Sequence, residues 1–132
     1  MTGLPPYARL LDLRVESSER GPLIVMPFGD DVVGRPGFLH GGAIAGLLEF
    51  AAFTTLWRAL GADGGAGATM KPITVTVDFM RGGSAKRGDT FAEAVVERLG
   101  QRIANVEAVA WQTDRSKPIA AARINFLIER DQ

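Results

Sequence analysis

The chain contains no cysteine. Disulfides, thiolate nucleophiles and cysteine-based metal sites are excluded together. It has one histidine, His40, so a zinc site would draw nearly all its ligands from carboxylates, against the usual preference for nitrogen and sulfur donors. No metal and no cofactor is expected. Neither sign of charge is in excess: 15 Lys and Arg balance 15 Asp and Glu. Nucleic acid and anionic membrane surfaces are held by a basic excess or stripe, so neither is an expected partner. The phosphate-cradling P-loop, the dinucleotide-binding glycine pattern and the serine nucleophile elbow are all missing. The first residues, Met1-Thr2-Gly3-Leu4-Pro5-Pro6-Tyr7, lack a charged start followed by an apolar run and do not read as a signal peptide. The longest apolar stretch, residues 43–60, is broken by Glu49 and Arg58 and is expected to fall short of a membrane span. The expected location is cytoplasmic.

What is present fits one domain. The chain has 132 residues, 46% of them apolar, enough for a sizeable core. Residues 4–11 predict a short helix opened by prolines. Leu11, Leu13 and Val15 alternate with Asp12, Arg14 and Glu16, the period of a half-buried strand. A turn over 17–21 leads to a strand over 22–28. Breaker-rich segments at 29–31 and 34–37 deliver Phe38-Leu39-His40-Gly41-Gly42 to a helix over about 42–60, apolar on nearly every side and therefore central. A glycine-rich loop, 61–68, ends it. Four strands follow, over 73–79, 90–99, 102–113 and 118–128. Ala92, Ala94 and Val96 share one face, as do Ala104, Val106, Ala108 and Ala110. Small side chains admit close approach, which predicts a sheet curled around the helix. The order β-β-α-β-β-β-β predicts an α+β domain with an antiparallel sheet of about six strands. The strand at 73–79 is regular and carries little charge; at a sheet edge it would invite pairing with a second chain.

Glu49 is the lone acid of the apolar helix. Its neighbours at i±3 and i±4 are Gly46, Ala45, Ala52 and Phe53, and none can pair with a carboxylate. A carboxylate buried without a partner is costly, so its satisfaction comes from another element, water, a ligand or another subunit. Such a group suits general-base or nucleophilic chemistry. The competing reading is a side chain reaching solvent, or a buried ion pair. His40-Gly41-Gly42 opens the same helix, where backbone N–H groups lack acceptors and the helix dipole is positive. Such donors can stabilise an oxyanion, although Gly-Gly also serves as a plain turn and a lone histidine more often supports structure than catalysis. Arg81, Lys86, Arg87, Arg102, Arg115 and Lys117 lie around turns, as phosphate contacts or as ordinary solvated surface.

Together these pieces resemble the hot-dog fold thioesterases, specifically the PaaI-like acyl-CoA thioesterases of phenylacetate pathways. The segment from Gly37 to Glu49 is similar to that family's G-x-L-H-G-G followed by an acid nine positions after the histidine. Phe79-Met80-Arg81 before Gly88-Asp89 resembles the family's strand ending, and Gly100-Gln101-Arg102 its next hairpin. The resemblance implies a single hot-dog domain over 1–132, with the sheet wrapped around one central helix. It implies hydrolysis of an acyl-CoA thioester, with Glu49 as nucleophile or as the base that activates water. Backbone N–H groups of Gly41 and Gly42 would donate to the oxyanion, and His40 would shape their loop. It implies a homodimer or homotetramer with the site at the subunit interface, lined by the partner's strand 73–81. Phe53, Phe79, Gly34, Arg81 and Arg102 are the implied substrate contacts. Three of these depart from the family pattern: relatives often carry Asn or Gln where this chain has Gly34, Ser or Thr where it has Phe53, and a small hydroxyl residue where it has Arg81. Two other readings stand beside hydrolysis. One is a hot-dog module that binds acyl-CoA without turnover. The other, ranked last because His40 adjoins Gly-Gly, is a hydratase or dehydratase of acyl thioesters.

Overall fold

A computed structural model describes residues 4–62 and 67–130. The element order is α1 (Pro6–Leu10), β1 (Arg14–Ser18), β2 (Gly21–Met26), α2 (Gly41–Ala62), β3 (Thr69–Phe79), β4 (Thr90–Leu99), β5 (Ile103–Trp111) and β6 (Ala120–Glu129). Single turns of 3-10 helix occur at Asp30–Val32 and Ala85–Arg87. The six strands form one antiparallel sheet in the order β1-β2-β4-β5-β6-β3. The sheet wraps α2, which is the hot-dog fold expected from the sequence. Part of the glycine-rich loop expected at 61–68, residues 63–66, lies outside the described residues.

Alanine makes that wrapping possible. Ala92 faces Ala110, which faces Ala120; Ala94 faces Ala108, which faces Ala122. These two rows cross three strands and are buried, packed in one core with Leu47, Leu48, Ala51, Leu56 and Leu60 of α2. Added methylenes in so tight a layer cost about 1–3 kcal/mol through displaced neighbours. The 22 residues of α2 span about 33 Å. Contrary to expectation, its 21 residues Gly41–Gly61 are long and apolar enough to cross a membrane, but 56% of the most apolar window is buried inside this fold.

The alternation at 11–16 misleads. Leu11 ends α1 by donating its N–H to Tyr7 O, and Leu13 N–H returns to Ala8 O. Asp12 lies between them at φ 57°, a left-handed conformation that aspartate tolerates better than most residues. Leu11 and Leu13 are buried because they pin this helix end to the core, and the strand begins only at Arg14. β3 is longer than expected: it starts at Thr69 and passes through Pro72, where the register with β6 shifts. Proline lacks a ladder N–H and is tolerated at sheet edges and bulges, and β3 occupies an edge.

Glu93 carries the sheet's most heavily engaged carboxylate. It is 3% exposed, accepting from Arg115 Nε at 2.9 Å, Arg20 Nε at 3.2 Å and the Ser18 hydroxyl at 3.0 Å. Burial pushes its carboxyl up, but the hydrogen bonds of Arg115, Ser18 and Arg20 and the charge of Arg20 outweigh it and hold the pKa below the ordinary 4.5. A lowered folded pKa gives stability that is fully present above the unfolded value and is lost as pH falls through the folded value. Thermal melts of wild type should therefore fall steeply below pH 4.5. Glu93→Gln should be less stable at neutral pH by about 2 kcal/mol and show a flatter acid dependence.

Candidate active site

Two loops fix the start of α2. Leu39 N–H donates to Gly83 O at 2.9 Å, Ala85 N–H to Gly37 O at 2.9 Å and His40 N–H to Val32 O at 2.8 Å. Phe38 bridges to Ser84. Gln112, buried on the β5 side, holds the second loop by accepting from Ser84 N–H and donating to Ser84 O and Gly88 O. Gly37 adopts φ 81°, where a side chain would be strained.

On this support the three residues of the histidine-glycine motif take different parts. The His40 carbonyl accepts from Ala43 and Ile44 N–H, beginning the helical ladder. Its ring accepts the Gly42 N–H at Nδ1, 2.8 Å away, so the neutral imidazole carries its proton on Nε2. A Cβ on Gly42 would lie 2.9 Å from that ring; glycine is required for the contact. His40 thus caps the helix, and the Gly42 N–H is already spent within the chain. The Gly41 N–H finds no acceptor among the described residues and sits at the positive end of α2. The Phe79 ring closes one side, 3.5 Å from where a Gly41 Cβ would stand.

Glu49 lies farther along α2, half-buried and with no hydrogen bond or ion pair among the described residues. It lines a cavity of about 270 Å³ with Gly46, Phe50 and Phe53 of α2 and with Tyr7, Leu11 and Leu13 from the α1 segment. The carboxylate is therefore presented to an apolar hollow between the two helices. This answers where the lone acid points, while the loops explain how the helix start is held.

The other expected contacts divide by position. Gly34, Phe79 and Arg81 lie at the helix-start end. A Cβ on Gly34 would stand 3.0 Å from His40 Cα, so no Asn or Gln fits there without displacing the loop. Arg81 is exposed, anchored by its backbone N–H to Ile119 O, and its guanidinium has no ion pair among the described residues. Phe53 faces the cavity. Arg102 is not brought to the group: β4 carries the chain about 30 Å to the opposite end of the sheet before the hairpin that holds it.

Sequence reasoning missed Tyr7 and Gly46. A Cβ on Gly46 would lie 2.5 Å from Tyr7 Cε2 and 3.2 Å from Leu11 Cδ1. The Tyr7 hydroxyl also reaches the Gly42 carbonyl at 3.4 Å. A mid-helix glycine costs about 1 kcal/mol relative to alanine, and that local cost was the available sign that something packs against α2 there.

A sheet wrapped around one long helix, with a loop-held helix start, is the hot-dog fold, here that of a thioester hydrolase. Residues 36–119 match the thioesterase superfamily, and the chain belongs to that family. A solved structure from Chromobacterium violaceum is 30% identical, with 96% of this chain and 85% of that one covered and a TM-score of 0.73. A Bacillus halodurans protein solved with CoA is 21% identical, covering 100% and 83%, TM-score 0.84. A Ralstonia eutropha protein described as phenylacetic acid degradation-related is 21% identical, covering 96% and 92%, TM-score 0.81. No curated protein matches the sequence.

Proposed function

We propose that this chain hydrolyses acyl-CoA thioesters at a site shared by two copies of itself, in the manner of the PaaI-like enzymes. The observation that carries the reading is the pairing of an unpartnered Glu49 carboxylate at an apolar cavity with an unspent Gly41 N–H at the start of the same helix. The CoA held by the Bacillus halodurans structure supports CoA as the thiol portion. Gly41 and Glu49 are eight residues apart, about 12 Å along the helix and about 80° around it. The reading therefore takes the oxyanion donor from one protomer and the partner's Glu49 as the acid-base group or nucleophile.

In the water route, the carboxylate removes a proton from water as its oxygen attacks the thioester carbon. The Gly41 N–H meets the oxygen as it gains negative charge. Collapse breaks the C–S bond, the thiolate takes the proton, and a free acid and CoA leave. In the nucleophilic route Glu49 attacks the thioester carbon, the C–S bond breaks and CoA leaves as the thiol after taking a proton from water. A second water then splits the resulting anhydride to release the acid and restore the Glu49 carboxylate. His40 keeps Gly42 and the first helical turn in place. Arg81, with Lys86 and Arg87 on the neighbouring loop, faces the CoA phosphates; these cations have no ion pairs among the described residues.

β3 supports the shared site. Ile73 is 54% exposed, Val75 43% and Phe79 57%, all on one unpaired edge. A long apolar edge strand pairs readily with another chain. Val75→Lys should convert the assembly to monomer in analytical ultracentrifugation and lower thiol release at least about 100-fold, as loss of one positioned acid-base group does. Activity retained by a proven monomer would contradict the shared site. The general test is thiol release from a panel of acyl-CoAs; tight binding without turnover across the panel would favour a non-catalytic acyl-CoA-binding module.

A further inference from the structure

We propose that α1 is the outer wall of the acyl pocket and that Tyr7, seated on Gly46, restricts the substrate to acyl groups with a compact apolar body, a short to medium chain or a single ring. This inference rests on the acyl-CoA reading above and names the part of the substrate that the cavity takes.

The cavity beside Glu49 holds about 270 Å³, below the range of about 300–1,000 Å³ found for pockets that take whole drug-sized ligands. CoA cannot enter it; an acyl group can. Among the described residues its lining is apolar apart from the Glu49 carboxylate and the Tyr7 hydroxyl. Leu11, Leu13 and Phe50 are 2%, 3% and 8% exposed, so the wall they form belongs to the core and cannot recede for a longer chain.

The part of the wall that Tyr7 forms is built differently. α1 is five residues long, and Tyr7 is 51% exposed. Its ring rests directly on the backbone of Gly46, at a spot a Cβ would fill, and its hydroxyl meets the Gly42 carbonyl one turn earlier. Leu11 and Leu13 already pin the end of α1 to the core, and these two contacts place the Tyr7 ring against α2 beside Glu49. Removing the ring opens this wall; adding a methyl group at Gly46 pushes it outward.

The test measures binding, so it does not depend on turnover. Affinities of non-hydrolysable acyl-CoA thioethers, from butyryl to myristoyl and including phenylacetyl, are determined for wild type, Tyr7→Ala and Gly46→Ala, each checked for native circular dichroism. Wild type should favour the shorter chains and the single ring. One methylene more or less in an apolar pocket is worth about 10-fold or more, so in Tyr7→Ala the dodecanoyl-to-octanoyl affinity ratio should rise at least about 10-fold. Gly46→Ala should shift it in the same direction. If both folded variants keep the wild-type length profile, Tyr7 does not set the pocket and the inference fails while the acyl-CoA reading stands. If wild type binds none of the analogues, the acyl-CoA reading itself fails and this inference with it.

Discussion

Glu49→Gln should lower kcat for acyl-CoA hydrolysis about 1,000-fold, within the 10²–10⁴ that a positioned acid-base group contributes, with little change in KM. The amide keeps the shape of the side chain and cannot accept a proton or attack a carbonyl. The effect is large because, among the described residues, the only other polar side-chain group in the cavity lining is the Tyr7 hydroxyl. Since Glu49 makes no ion pair or hydrogen bond among the described residues, its replacement strands no partner. The melting temperature should therefore stay at or above the wild-type value. Steady-state kinetics with thiol detection, alongside a thermal melt, separate this outcome from a structural role, which would lower stability and activity together.

Gly41→Pro is the second large effect. Gly41 is the first residue of α2, a position where proline's fixed φ is well suited to a helix and its missing N–H breaks no helical hydrogen bond. The substitution deletes the one donor assigned to the oxyanion while sparing the fold. Loss of a single such donor costs about 10²–10³ in kcat. Gly41→Ala is the control. Its Cβ meets the Phe79 ring at 3.5 Å, an ordinary contact, and it keeps the N–H, so most activity should survive. If proline and alanine at this position behave alike, the backbone donor has no part in the reaction.

The fold was largely legible because its main signals are local and periodic. β4 falls on Thr90–Leu99, as the alternation predicts, and the alanine faces of β4 and β5 proved to be facing partners across the ladder. The strand expected from Leu11 failed for a physical reason: a helix end followed by one left-handed aspartate buries alternate leucines just as a strand would. The position of the motif at the helix start was equally legible, since breakers precede it and apolar residues follow.

What could not be read were contacts between distant segments. Tyr7 lies 35 residues from its Gly42 acceptor, and nothing near Tyr7 in the chain marks it as part of a pocket. Gln112 looks like an ordinary residue beyond a strand, yet it holds the loop that supports His40. Glu93 sits where alternation puts a solvent-facing side chain. It is buried only because two turns, carrying Arg20 and Arg115, fold over the outer face of the sheet. The split between the glycines was hidden too: adjacent N–H groups look equivalent until the His40 ring takes one of them.

The central claim is that one reaction site draws Gly41 from one protomer and Glu49 from the other. It is tested most directly by combining two variants that are each inactive, Glu49→Gln and Gly41→Pro, by unfolding and refolding them together. A mixed dimer contains one damaged site and one intact site, because each chain supplies the group its partner lacks. Random pairing makes half of the dimers mixed, so about a quarter of wild-type activity should return. Recovery of that activity is the predicted result. If mass spectrometry shows mixed dimers but thiol release stays at the level of the separate variants, the shared site is contradicted.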